Sequence, residues 1–310
     1  AFAAVDIVRE RGVVPRVPVA VVAFSDEEGA RFGVACVGSQ LSTGAVSAEK
    51  ARGLRDIHGV TLDEAMTKAG RHPEHLSADP RLSDRVGVFV ELHVEQGRAL
   101  DLVDRPIAVA SAIWPHGRWQ FTFCGEANHA GTTRLADRHD PMLAFASSVH
   151  AARSLAATHD AVATFGKVIV APNGANAIPS SVQAWLDARA ADEATLQSLV
   201  DKITTEARQH AAADGIELDV IAESVTPIVE FPHTPRARLQ RALAHLGDIP
   251  VLPTQAGHDA GILSAVVPTA MLFVRNPTGV SHSPVEFAEA SDCNTGAVAL
   301  ADVMADWVAP

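Results

Sequence analysis

Cysteine is scarce in this 310-residue chain: Cys36, Cys124 and Cys293 are widely spaced and odd in number. That excludes a disulfide framework, fits a reducing cytoplasm, and leaves all three expected as buried thiols. Basic residues are also short, with 25 Lys and Arg against 37 Asp and Glu and a formal net charge of −12. No nucleic acid is therefore expected as a partner, and the lack of any basic run argues against a membrane surface. No apolar run approaches the roughly 20 residues of a membrane span. The first residues lack the basic-then-apolar order of a signal peptide. No internal repeat or low-complexity tract interrupts the chain. What remains is 47% hydrophobic and 20% charged, expected to be globular and cytoplasmic, with room for one large domain or two ordinary ones.

The opening AFAAVDIVRERG has helical periodicity but no Ser, Thr, Asp or Asn ahead of its first apolar position, where a helix start usually offers one. The expectation is that further sequence belongs upstream of Ala1.

Apolar, β-rich runs alternate with helical segments: a strand over Val17–Phe24, a helix around Thr61–Ala69, and strands over Gly87–Leu92 and Pro106–Ile113. The pattern resumes in IPVLP, residues 249–253, and PTAMLFV, residues 268–274. Runs apolar on both faces predict an α/β, mostly parallel sheet with helices on both faces. Residues 118–224 read differently, as strand, helix, two strands, helix and strand, the order of a ferredoxin-like α+β unit. The predicted organisation is a first part of one domain over 1–114, an inserted domain over 115–225, and the second part of the first domain over 226–310. Pro115 and Pro227 mark the linkers.

Four apolar runs end in polar clusters: VAVVAF in SDEEG, VFVEL in HVEQG, VLP in TQAGHDAG, and AMLFV in RNPTGVSHSP. Ligands of open α/β sheets bind beyond the carboxyl ends of the strands. Parallel strands would thus bring Glu27, Glu28, His93, His258, Asp259 and His282 to one cleft. Packed carboxylates lose hydration and repel one another, so the acidic triplet needs a cation or a hydrogen-bond network. Carboxylates and imidazoles suit a divalent ion such as Zn²⁺ or Mn²⁺, with one glutamate ligating and its neighbour moving a proton. Each residue alone has a plainer reading. Adjacent glutamates are commonly solvated, a histidine after a strand is commonly a hydrogen-bonded bystander, and SHSP could cap a helix at Ser283 ahead of Pro284.

Taken together, FSDEEGARFGVACVGS, ELHVEQGRALD, GEANHAGTTRLADRHDP, PNGANAIPS, AGHDAGIL and GVSHSPVEF resemble the allantoate amidohydrolase and N-carbamoyl-L-amino-acid hydrolase family, dinuclear metallopeptidase relatives of aminoacylase. The resemblance runs from about Val17 to the C-terminus. It implies a metallopeptidase-like sheet domain carrying an inserted dimerisation (lid) domain, a homodimer, and hydrolysis of a linear C–N bond in a small ureido carboxylate. Allantoate is the favoured substrate and N-carbamoyl-L-amino acids or β-ureidopropionate the alternatives. It implies Glu27 as general base, Glu28 and His282 as ligands of one metal, and His93 as a ligand of the second. His129 would reach across the dimer to polarise the substrate carbonyl, with Gln96, Asn176, Arg189, Gly257 and His258 binding substrate. Arg189 could instead pair with Asp187 or Asp192, and His129 and Asn176 could be ordinary turn residues. The resemblance also implies a His-x-Asp segment and a metal-bridging aspartate upstream of the region matching Ala1. With neither in this sequence, the expectation is weak metal binding and little turnover, or a non-catalytic relic.

Overall fold

The computed structural model of the chain describes residues 1–309. In chain order its helices and strands begin with α1 (Phe2–Glu10), α2 (Val37–Thr43), α3 (Ala48–Arg52), α4 (Leu62–Lys68), α5 (Leu82–Arg85), β1 (Phe89–Val94), α6 (Ala99–Leu102) and β2 (Ile107–Ile113). There follow β3 (His116–Cys124), β4 (Asn128–His129), α7 (Pro141–Thr158), β5 (Val162–Ala171), β6 (Ala177–Ile178), β7 (Ser181–Arg189), α8 (Glu193–Ala213) and β8 (Glu217–Thr226). The chain ends with β9 (Val229–Glu230), α9 (His233–Ala242), β10 (Val251–Thr254), α10 (Asp259–Leu263), β11 (Thr269–Val274) and α11 (Ala290–Val308). These form two compact units, residues 1–113 with 229–310, and residues 114–228.

In the first unit the sheet order is β1-β11-β2-β10, with β9 added beside β2. Period-two alternation sends successive side chains to opposite faces. Ala108 and Ala110 of β2 with Met271 and Phe273 of β11 pack on one face, toward Ala260 of α10. Ile107, Val109, Ala270 and Leu272 pack on the other, against Leu239 and Leu243 near α9 and Ala299 and Val303 of α11. Helices therefore cover both faces. β1 and β11 are parallel, as are β10 and β2, but β11 meets β2 antiparallel. The two pairs thus run in opposite directions.

Two expectations are corrected here. Val17–Phe24 forms no strand; Val17, Val19, Val21 and Val22 are exposed. Among the described residues these eight make no backbone ladder bond. Apolarity alone does not make a strand, because the ladder partner is a non-local requirement. The cysteines are all free, but only Cys36 is buried, while Cys124 and Cys293 are exposed. No helix among the described residues is long and apolar enough to cross a membrane.

The second unit is a four-stranded antiparallel sheet, order β5-β7-β3-β8. Its core joins Phe121 and Phe123 of β3 and Val182 and Leu186 of β7 to α7 and α8. α7 presents Ala144, Ser148, Ala152 and Ala156, one small buried residue every fourth position, which lets the helix lie close to the sheet. Asp140 caps α7 through the Met142 amide and Asp192 caps α8 through the Thr195 amide, satisfying N–H groups that a helix start leaves unpaired. β4 and β6 form a separate two-stranded ladder.

Candidate active site

The acidic triplet divides its labour. Asp26 has a left-handed φ of 50° and accepts hydrogen bonds from the Arg31 and Phe32 amides, both at 3.3 Å. It is spent on closing the loop. Gly29 serves the same turn: its φ is 64°, and a Cβ there would stand 2.6 Å from the Ala35 nitrogen. Glu27 is half-buried, and burial pushes its carboxyl above the ordinary value. The Cys36 thiol donates to its Oε1 at 3.5 Å and opposes that rise, while the charges of Asp259 and Glu28 add to it. Glu28 is exposed, with Oε2 lying 3.5 Å from His282 Nε2.

His282 sits in a loop fixed from both ends. At its base the buried Asn276 donates to the Val280 carbonyl at 2.9 Å and accepts from the Thr278 and Gly279 amides, both at 3.0 Å. Nearer the tip, Glu286 accepts the His282 amide at 3.1 Å, holding a residue whose φ is 55°. That backbone conformation is uncommon for a side chain with a Cβ.

A second group forms around β1. His93 places Nδ1 2.8 Å from the Val94 carbonyl; a carbonyl only accepts, so Nδ1 is a donor and Nε2 is the ring nitrogen left for another partner. The His258 ring lies edge-on to it, 4.6 Å between centroids. Glu91 Oε2 accepts the Ala260 amide at 2.7 Å, and its Oε1 is 3.7 Å from His258 Nδ1. Asp259 accepts the Ser39 hydroxyl at 2.5 Å. Burial raises the Glu91 carboxyl to about 7 and depresses His258 to about 3, while the Cys36 thiol is pushed far upward, chiefly by burial. β10 runs opposite to β1 and β11, yet its polar sequel reaches this group because α10, which follows it, packs over β1 and β11. Convergence therefore does not require the four strands to be parallel.

Other expected residues fall as follows. Gln96 has a buried Oε1 without a hydrogen-bond partner among the described residues. Gly257 is exposed beside the buried His258. In the second unit His129 lies in the β4–β6 ladder and Asn176 directly precedes β6, the Ala130 amide donating to the Asn176 carbonyl at 2.9 Å. His129 Nδ1 accepts from the Gly131 and Thr132 amides at 3.0 and 3.2 Å, so its ring proton belongs on Nε2. Arg189 grips Asp187 with two nitrogens, at 2.8 and 3.2 Å. Sequence reasoning assigned no role to Glu91, Cys36 or Ser39. The signal for Glu91 was a carboxylate inside the apolar run VFVEL.

The profile of Peptidase family M20/M25/M40 matches residues 1–306. The chain belongs to this family. It is 36% identical over 298 residues to the N-carbamoyl-L-amino acid amidohydrolase of Geobacillus stearothermophilus, covering 96% of this chain and 73% of that one. It is 32% identical over 316 residues to the allantoate amidohydrolase of Escherichia coli (strain K12), covering 97% and 74%. Among solved structures, a hydantoinase/carbamoylase family amidase from Burkholderia vietnamiensis superposes with a TM-score of 0.86 at 28% identity, covering 99% of this chain and 74% of that one. M20 members are generally dinuclear metal enzymes. Glu28 and His282 fit two positions of such a coordination sphere in type and proximity, and His93 offers its second ring nitrogen. Among the described residues no three His, Cys, Asp or Glu side chains are grouped to hold an ion.

Proposed function

We propose that the chain hydrolyses the terminal C–N bond of a small ureido carboxylate, allantoate before N-carbamoyl-L-amino acids. The observation that carries the reading is Glu27: a half-buried carboxylate of raised basicity, one residue from a Glu28–His282 pair. Glu28 and His282 would hold one divalent ion and His93 the other, Zn²⁺ or Mn²⁺, supplying Lewis acidity to water and carbonyl. Glu27 takes a proton from the attacking water and delivers it to the leaving nitrogen, a role suited to a carboxylate shifted toward neutrality. His129, with Nδ1 occupied as an acceptor, donates from Nε2 to the carbonyl oxygen. Arg189, its plane fixed by Asp187, grips the substrate carboxylate; Gln96, Asn176, Gly257 and His258 are read as further substrate-binding positions. Ammonia and a carbamate leave, and the carbamate loses carbon dioxide.

His129 is read as serving a neighbour's site, which makes the working unit a homodimer joined through residues 114–228. Exposed apolar residues on the edge strands, Val168 and Ile169 of β5 and Ile221 and Val225 of β8, support this. Sedimentation of Ile169→Lys as a monomer and of the unchanged chain as a dimer is expected; an unchanged chain that sediments as a monomer would sink the dimer, and a dimeric Ile169→Lys would remove β5 from its interface.

The test of the reaction is ammonia release from allantoate, N-carbamoyl-L-amino acids and β-ureidopropionate, with Mn²⁺ or Zn²⁺ supplied in excess. Release is expected from at least one, and Glu27→Gln is expected to cut kcat by about 10²–10⁴-fold with KM little changed. Activity surviving in Glu27→Gln would remove the general base. A second reading is weak metal binding with slight turnover, argued from Glu28 and His282 supplying two ligands where a catalytic ion commonly has about three. Two tightly bound metal equivalents per chain by mass spectrometry would refute it.

A further inference from the structure

Arg138 stands half-buried near the end of the stretch HAGTTRLADRHD and directs its guanidinium to the main chain. Nε donates to the Thr133 carbonyl at 3.1 Å, and Nη2 donates to the Thr133 and Ala130 carbonyls at 3.0 and 2.7 Å. The neighbouring Arg134 behaves otherwise, pairing in solvent with the Asp137 carboxylate at 2.7 and 2.8 Å. The carbonyls that Arg138 holds belong to a closed turn. The His129 carbonyl accepts the Thr133 amide at 3.2 Å and the Thr133 hydroxyl at 2.7 Å. The His129 ring folds back over this turn, where the Gly131 and Thr132 amides reach Nδ1 at 3.0 and 3.2 Å. A Cβ on Gly131 would stand 3.3 Å from His129 Cε1, so ring and backbone are in close contact.

The Ala130 carbonyl and the Gly131 amide are two ends of one peptide group. That group is planar and trans, so its C=O and N–H point in opposite directions. Fixing the oxygen on Arg138 therefore fixes the N–H on the imidazole. We infer that Arg138 is a positioning residue that acts through this peptide, holding the His129 ring by Nδ1 and leaving Nε2–H as the donor to the substrate carbonyl. The inference rests on the reading of His129 as that donor and deepens it. Lysine would carry the same charge without the planar fork that reaches both carbonyls.

The first measurement is amide hydrogen exchange, read residue by residue from ¹H–¹⁵N spectra of the full chain and of Arg138→Met, which keeps an apolar stem and removes the donors. Exchange at Gly131 and Thr132 is expected to quicken about tenfold or more, as the loss of a charge-assisted hydrogen bond dictates. The ladder between β3 and β7 should be unchanged, and Arg138→Lys should fall between the two. Unaltered exchange at Gly131 overturns the inference. An equal rise across β3 and β7 also overturns it, because Arg138 would then support the fold and not the turn. A ¹⁵N-histidine spectrum of the unchanged chain at about pH 8.5, above the ordinary imidazole value, should show His129, assigned by its loss in His129→Asn, protonated at Nε2; a proton on Nδ1 overturns the inference. The second measurement is a double-mutant cycle on kcat, with metal supplied, using whichever of allantoate, N-carbamoyl-L-amino acids and β-ureidopropionate the unchanged chain hydrolyses. Arg138→Met is expected to lower kcat about tenfold or more with KM little changed, and by less than about threefold in the His129→Ala background. The same fold-loss in both backgrounds overturns the action through His129. If the unchanged chain hydrolyses none of these compounds, the ureido reading fails and the catalytic half of the inference with it, while exchange at Gly131 still decides whether Arg138 holds the ring.

Discussion

Asp26, Glu27 and Glu28 are consecutive, yet each meets a different medium. Asp26 accepts hydrogen bonds from backbone amides, Glu27 is drawn toward the protein interior, and Glu28 stays in solvent opposite His282. The same division by environment sets the pH response of the neighbouring buried pair. Burial lifts Glu91 to about 7 and lowers His258 to about 3. Between the ordinary carboxyl value of 4.5 and about 7, the folded chain keeps a proton on Glu91 that the unfolded chain has released. This contribution is complete below the lower value and is lost as pH rises through the upper one. His258 acts oppositely: from its ordinary 6.5 down to about 3, only the unfolded chain takes the proton, so stability is lost as pH falls. Removing the carboxyl isolates the first effect. Urea unfolding of the unchanged chain and Glu91→Gln across pH 4.5–7.5 should give curves that separate toward acid pH, with a slope approaching about 1.4 kcal/mol per pH unit. Parallel curves would mean Glu91 ionises alike in both states.

At the level of elements, local chemistry was legible where it was sufficient. α8 spans Glu193–Ala213 and is the second helix expected within residues 118–224, because the Asp192 cap and the apolar stripe through Leu196, Leu199, Ile203 and Ala207 are both local. Residues 17–24 show the opposite case. Their valines announce a strand, but a ladder needs a partner that spacing cannot supply. The direction of β10 was hidden for a related reason, since orientation in a sheet is fixed by connections and packing rather than by the strand's own residues. Of the site, the nearness of Glu28 to His282 was implied by the family resemblance, whereas Ser39 on Asp259 and Cys36 on Glu27 join residues whose chemistry alone suggests no partner. One close approach belongs to this scale too. Gly296 of α11 lies against β11 and β1, where an added Cβ would meet Val274 Cγ2 at 2.5 Å and Leu92 Cδ2 at 3.4 Å. Gly296→Ala, normally favourable in a helix, is instead expected to destabilise by about 1–3 kcal/mol through overpacking. A raised midpoint in thermal unfolding would contradict it.

For the molecule as a whole, two architectures coexist in one chain. The unit built on a mixed sheet covered by helices on both faces contains Glu27, Glu28, His93, His258 and His282, and the unit built on an antiparallel sheet backed by two helices contains Arg189 on that sheet and His129 and Asn176 at its separate two-stranded ladder. The apolar residues 17–24 and the margin of β1 line a common hollow of about 770 Å³ with Leu300, Val303 and Met304 of α11. β1 closes its sheet on that side, with β11 as its paired neighbour. A strand margin next to an eight-residue apolar run in which six are valine or alanine is a template on which another molecule can pair its own backbone. In purified solutions this sets a ceiling on concentration: turbidity should climb steeply with dose, and Val19→Lys with Val21→Lys should raise the ceiling. Handling, as much as chemistry, is thus governed by those eight residues.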